Sequence, residues 1–203
     1  MADSGHTVAA AGRSRRLDEE REQAILRATY ELLGEAGYQG LRVDAVAARA
    51  QASKATLYRH WPTKAGLVFD AVRCCRAAEE PLPDTGSLRD DLLGWFRGMA
   101  RTIDGDEGPI LAGLFMAMHT DPELAEQLRD MRASKLPHAE TICTRGCDRG
   151  ELRPGYDAGL IDEIVPAQIF MHRFAFGQPL DEPFLEHLTD DIIMPLLTRE
   201  PRS

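Results

Sequence analysis

No stretch of this 203-residue sequence approaches the roughly 18 unbroken apolar residues that cross a bilayer as a helix. The longest, Ile110 to Met118, is half that length and contains a glycine. An apolar signal core is also lacking: Val8-Ala9-Ala10-Ala11 runs straight into Gly12-Arg13-Ser14-Arg15-Arg16, so a cytoplasmic location and no membrane partner are expected. Cysteine is scarce, with four residues and none at CxxC spacing, which argues against a disulfide framework or a zinc module. No cofactor and no metal site are expected. P-loop, GxGxxG-after-strand, GxSxG and HExxH patterns are missing, and the acidic residues are scattered rather than paired beside a histidine. The expectation is that the chain is not an enzyme. No alternating strand pattern of useful length and no internal repeat occur, so the fold class is all-α.

Charge is present in quantity, but it is unevenly placed. The formal net charge is −9, yet residues 1–76 carry twelve Lys/Arg against nine Asp/Glu, so the acidity resides in the remaining chain. A locally cationic module beside an acidic remainder suits a protein whose first part meets a polyanion.

Helical spacing organises the rest. Residues 1–16 are Ala/Gly/Ser/Arg-rich without apolar periodicity and read as a flexible basic arm. Asp18 is a candidate cap for a first helix with Ile25, Ala28, Thr29, Leu32 and Leu33 on one face, stopped by Gly34 and Gly37. A second helix follows over Val43–Ala50. Gln51-Ala52 form a turn, Ser53 caps a third helix to about His60, and Leu57 and Trp61 point inward four residues apart. Pro62 breaks the chain and Thr63 opens a fourth helix. Two short helices joined by a tight turn describe a helix-turn-helix. Pro81, Pro83 and Gly86 mark a boundary, giving a head over 17–80 and a second domain over 81–203. In that domain, helices are expected after Ser87, after Asp121-Pro122 with a break at Pro137, after Tyr156-Asp157 with an interruption at Pro166, and after Asp181.

The segments Val43-Asp44-Ala45-Val46-Ala47-Ala48-Arg49-Ala50 and Ser53-Lys54-Ala55-Thr56-Leu57-Tyr58-Arg59-His60-Trp61-Pro62-Thr63-Lys64 resemble the N-terminal domain of tetracycline-repressor-type (TetR/AcrR) regulators. The resemblance covers about a quarter of the chain. It implies a DNA-binding head and a helical C-terminal domain that binds ligand and dimerises. Lys54, Thr56 and Arg59 are candidates to reach base edges or phosphates, while Ala55 permits close approach to the major groove. Tyr58 and His60 look like phosphate or sugar contacts, and Lys64 stands in the first turn of the fourth helix, where a phosphate is favoured. Ser53 and Arg42 complete the set. Arg42 departs from the Thr or Ser that usually caps the second helix, and Gln51 from the glycine that usually fills the turn.

The same resemblance implies a one-component switch: a repressor of a pseudo-palindromic operator in double-stranded DNA, released by a small molecule. Candidate pocket residues are Trp95, Phe96, Met99, Phe115, Met116, His119, Phe170, Met171, His172 and Phe174, aromatic and Met-rich as an adaptable pocket is, though equally the composition of ordinary core. Ile161, Ile164, Val165, Leu185, Leu188, Ile192 and Leu196 are expected to form a homodimer interface across a two-fold axis. Cys143 and Cys147, four apart on a helix, fit soft-metal binding or oxidant sensing, and fit two small buried side chains as well. The competing function is a helical adaptor that has lost specific DNA binding, a reading favoured by Arg42 and Gln51.

Overall fold

The protein is described by a computed structural model covering residues 5–75, 81–133, 136–153 and 155–198. Its helices are α1 (Gly5–Gly40), α2 (Val43–Arg49), α3 (Lys54–His60), α4 (Lys64–Cys75), α5 (Leu88–Asp104), α6 (Glu107–Ala117), α7 (Pro122–Ala133), α8 (Leu136–Asp148), α9 (Gly159–Phe170), α10 (Glu182–His187) and α11 (Met194–Thr198). Wider π turns extend α9 over Met171–Ala175 and join α10 to α11 over Leu188–Ile193. The described residues contain no strand. None of their helices is long and apolar enough to cross a membrane.

The chain forms two compact units: residues 1–77 with 113–128, and residues 78–112 with 129–203. In the first, α1 packs along α4 and α2 packs on α1 and α3. Its interior holds Ile25, Ala28, Leu33, Val46, Leu57, Leu67, Val68 and Ala71, all buried. Thr29 is also fully buried, and its hydroxyl is satisfied by donating to the Ile25 carbonyl at 2.8 Å. Gly37, at φ 66°, breaks the helical geometry of α1 in the left-handed region that favours glycine. The same unit contains Leu114, Ala117, Leu124 and Ala125, also buried. Asp121 caps α7 by accepting from the Leu124 N–H at 3.1 Å.

In the second unit α5 is the central helix, packed against α8, α9 and α10. Ser87 and Asp181 cap α5 and α10 through the Asp90 and Phe184 N–H groups. Leu92, Phe96, Ile142, Ile161, Val165, Leu185 and Leu188 meet in one apolar cluster. Asp91 lies at its edge without any solvent exposure. It accepts from Thr85 N at 2.6 Å, Thr85 Oγ1 at 2.8 Å and Arg149 Nη2 at 3.1 Å. A buried carboxylate is tolerated when paired and hydrogen-bonded in this way.

Several expectations are corrected here. The first helix begins at Gly5, so Asp18 lies inside it and the backbone of 5–16, expected as a flexible arm, is helical. Its alanines and arginines have high helix propensity, which apolar periodicity does not register. Residues 1–4 lie outside the described residues, as do the side chains of Arg13, Arg15 and Arg16. By contacts, residues 113–128 group with the head rather than with the remainder of the second domain. Pro166 does not interrupt α9, which runs through it to Phe170 at the loss of one backbone hydrogen bond. The kink or break expected at Pro137 falls where α7 ends at Ala133 and α8 begins at Leu136, with Pro137 in the first turn of α8, where proline is tolerated.

Candidate nucleic-acid interface

The third helix is seven residues long and too short to persist alone, so its ends must be held. At its start Ser53 adopts extended backbone and its Oγ accepts from Thr56 N at 3.1 Å. The Ser53 and Thr56 hydroxyls also bond each other at 2.9 Å, which ties Thr56 to the cap. At its end Trp61 is buried, and its indole N–H donates to Asp70 Oδ2 on α4 at 2.9 Å. Leu57 is buried midway between them. With Leu57 and Trp61 turned inward, Lys54, Ala55, Tyr58, Arg59 and His60 are left exposed, Tyr58 at 51%. This is one continuous surface of small, cationic and hydrogen-bonding side chains.

The two departures in the sequence lie in the turn before α3 and at the start of α2. Gln51 has φ 51°, the one positive φ outside glycine among the described residues. Holding an L-residue there costs about 1 kcal/mol. Gln51→Gly is therefore expected to raise the urea midpoint by an amount worth about 1 kcal/mol. An unchanged midpoint would show that the turn relaxes around glutamine. Arg42 stands before α2 in extended backbone without a side-chain cap, and its side chain is exposed.

Several cations near this surface are already paired. Lys54 Nζ lies 2.7 Å from Asp44 Oδ1 on α2. Arg49 forks onto Glu35 at 2.6 and 3.1 Å, with Glu31 3.8 Å away. The Arg49 hydrogen bond holds the Glu35 carboxyl below the usual carboxylate range. Arg59 Nη2 is 3.2 Å from His60 Nε2.

Lys64 has neighbours inside the protein. It is half-buried, with its ammonium 4.4 Å from the centre of the Tyr38 ring, in a cation–π contact. The Tyr38 hydroxyl donates to Asp121, and Thr63 donates to Glu123 two residues further on. Burial pushes the Tyr38 phenol up and the Lys64 ammonium down, while the Tyr38 hydrogen bond holds Asp121 low. Lys64 is thus engaged within the protein. The sequence marks Asp121-Pro122 as a helix start but does not show the Tyr38 partner of Asp121, which is 83 residues away.

The expected pocket residues fall in both units. Trp95, Phe96 and Met99 share α5, where Phe96 is fully buried core and Trp95 meets His138 edge to face. Phe170 and Phe174 contact each other, and His172 stacks on Phe184 at 3.8 Å. Met171 is exposed. Phe115, Met116 and His119 belong to the other unit and are exposed. A polar cleft does open beside α3, lined by His60, Trp61, Thr63, Asp70, Arg73 and Glu123, and it includes none of them.

The residues expected at the dimer face divide between buried and half-exposed positions. Ile161, Val165, Leu185 and Leu188 are buried in their own unit, because α5 already covers them. Ile164, Ile192 and Leu196 remain half-exposed. Cys143 is buried, its thiol pushed up to about 12 chiefly by burial, which keeps it protonated and inert at neutral pH. Among the described residues no group of three His, Cys, Asp or Glu side chains is placed to hold a metal ion.

Comparison with known proteins covers both units. Residues 25–71 match the family described as bacterial regulatory proteins, tetR family, and residues 82–192 match the tetracyclin repressor-like C-terminal domain. The uncharacterized HTH-type transcriptional regulator Rv1556 of Mycobacterium tuberculosis is 35% identical over 184 residues, 88% of this chain and 89% of that protein. The DNA-binding transcriptional repressor TetR of Mycobacteroides abscessus is 33% identical over 181 residues, 88% of this chain and 95% of that one. The crystal structure of the TetR family transcription regulator SCO0332 superposes with a TM-score of 0.67 at 29% identity, covering 90% of this chain and all of the other.

Proposed function

This chain belongs to the TetR family of transcriptional regulators, and from that premise we propose that it is a cytoplasmic, non-enzymatic repressor that binds a pseudo-palindromic operator as a homodimer and releases it when a small molecule enters the helical C-terminal unit. The observation that carries the reading is the geometry of α3. Leu57 and Trp61 lock one face inside, and the opposite face offers Lys54, Ala55, Tyr58, Arg59 and His60 to solvent. Such a face enters the major groove, with Ala55 allowing close approach, Lys54 and Arg59 reaching base edges, and Tyr58 and His60 fixing register on the backbone. Arg42 adds a cation near the start of α2, and Ser53 serves as the cap. Lys64 contributes by holding the start of α4 rather than by touching DNA.

The second copy docks on what the monomer leaves uncovered. Leu160, Ile164, Ala167 and Met171 recur at helical spacing on α9 and its π turn, beside Ile192 and Leu196. Two such faces across a two-fold axis place the recognition helices about one DNA turn apart or somewhat more. The effector is expected in the second unit, where Trp95 and Met99 on α5 and His172 and Phe174 beyond α9 are half-buried.

The test is a gel shift against DNA flanking the protein's own gene, over a series of salt concentrations, with light scattering for mass. A retarded complex is expected, together with affinity falling steeply with salt and a dimer in solution. Tyr58→Ala is expected to lose about tenfold on every duplex, as removal of one hydrogen bond to a charged group does, with the fold intact. No shift at low salt, or a monomer at micromolar concentration, would overturn the proposal.

A further inference from the structure

We propose that Asp44 is a positioning residue that makes Lys54 a reader of base edges instead of a phosphate contact, an inference that rests on the DNA-binding reading above. Lys54 is the first residue of α3, where a cation opposes the positive end of the helix dipole, so the helix itself gains nothing from it. Its ammonium is nevertheless held 2.7 Å from Asp44 across the α2–α3 turn, although the two side chains are 57% and 61% exposed. A pair so exposed adds little to stability, and it restrains a long side chain that is otherwise free to rotate. What the pair does change is direction. An ammonium has three donors; Asp44 takes one, and the other two point from a restrained base. Guanine O6 and N7 in the major groove form the matching pair of acceptors.

A phosphate is a poor partner for the same assembly. To meet it, Lys54 either leaves Asp44 as an unpaired anion facing the DNA or brings a carboxylate up against the phosphate. Both outcomes penalise binding wherever no suitable base is present. Arg49, forked onto Glu35, is withheld from nonspecific attraction in the same manner. Two cations of the head, Lys54 and Arg49, are thus under local carboxylate control, and sequence readout is favoured over general attraction to the backbone.

The experiment compares the full-length protein with Asp44→Asn, Lys54→Met and the double variant. Each is titrated against an operator duplex recovered by selection from random DNA and against a scrambled duplex of the same composition, from about 50 to 300 mM salt. Asp44→Asn is expected to bind the scrambled duplex more tightly, with the log–log salt slope steeper by about 0.9, the signature of one added phosphate contact. Operator affinity is expected to hold or fall, so that the ratio of operator to scrambled affinity drops by about tenfold, the scale of one lost bidentate base contact. Lys54→Met is expected to abolish both effects in the double variant. If Asp44 matters only as an acidic residue at the start of α2, the thermal midpoint moves and the salt slope does not, which overturns the proposal. A gain on scrambled DNA that survives Lys54→Met overturns it too, since general charge then accounts for the effect. Failure of the parent protein to bind any duplex is a different result, which removes the DNA-binding reading together with this one.

Discussion

Trp61→Ala is expected to lower unfolding stability by about 3–5 kcal/mol and to abolish operator binding even where the protein is still folded. The indole fills the interior beneath α3 at 6% exposure, and its N–H is the bond that joins the end of the recognition helix to Asp70 of α4. Alanine leaves a cavity at the point where a seven-residue helix is anchored. A helix that short frays once one anchor is removed. Trp61→Phe separates the two contributions, because it keeps most of the volume and deletes the hydrogen bond. Asp70 is partly exposed and can turn to water, so the phenylalanine variant is expected to lose only about 1 kcal/mol. Urea denaturation with an unchanged slope, together with a gel shift below the transition, measures both effects. An alanine variant as stable as the parent would mean that the indole is not an anchor.

Asp91→Ala is expected to cost about 3 kcal/mol, the low end of the range for breaking a buried ion pair. The carboxylate has no solvent exposure and gathers the Thr85 N–H, the Thr85 hydroxyl and one arm of Arg149. Removing it leaves the Thr85 N–H without its partner and the guanidinium with only its other carboxylates. Glu151 is the adjoining member: it pairs with Arg149, and its second oxygen accepts from the Leu88 N–H at 2.8 Å, at the start of α5. The Arg149 hydrogen bond, then the Leu88 N–H, hold the Glu151 carboxyl below the usual range. A lowered carboxyl contributes its stability in full above the ordinary carboxylate pKa, and loses it as pH falls through the depressed value. Loosening of this end of the second unit is therefore expected below pH about 4, read as a falling urea midpoint. The Asp91→Ala variant is expected to keep that acid sensitivity, because Arg149 and the Leu88 N–H still hold Glu151 low and only the opposing charge of Asp91 is gone. An alanine variant matching the parent at neutral pH would show that Asp91 is tolerated rather than useful.

Much of this protein is legible along the chain because the deciding interactions are local. Ser53, Ser87, Asp121 and Asp181 cap helices through N–H groups three residues away, and a cap is a short-range event that residue type announces. Gln51 marked a turn of positive φ by the absence of the glycine expected there. Leu57 and Trp61 declared the inner face of α3 by their spacing. Misreadings occurred where local rules carry no information. Alanine and arginine before Asp18 have no periodicity and yet are helical. Pro166 was read as a break, but the surrounding helix carries it.

The uneven charge that first suggested a polyanion partner belongs to the sequence alone, as do the all-α class, the helix-turn-helix and its family. These follow from residue type at fixed short spacings, which the chain carries with it before it folds. Which cations are available was decided by the tertiary structure. Lys64 lies against Tyr38 beside Asp121, Arg49 is forked onto Glu35, and Lys54 is turned to Asp44. Each of those pairings joins residues that folding brings together from separate helices. A charge counted in a sequence is a capacity, and only the packed molecule determines whether another protein group or the solvent has the use of it.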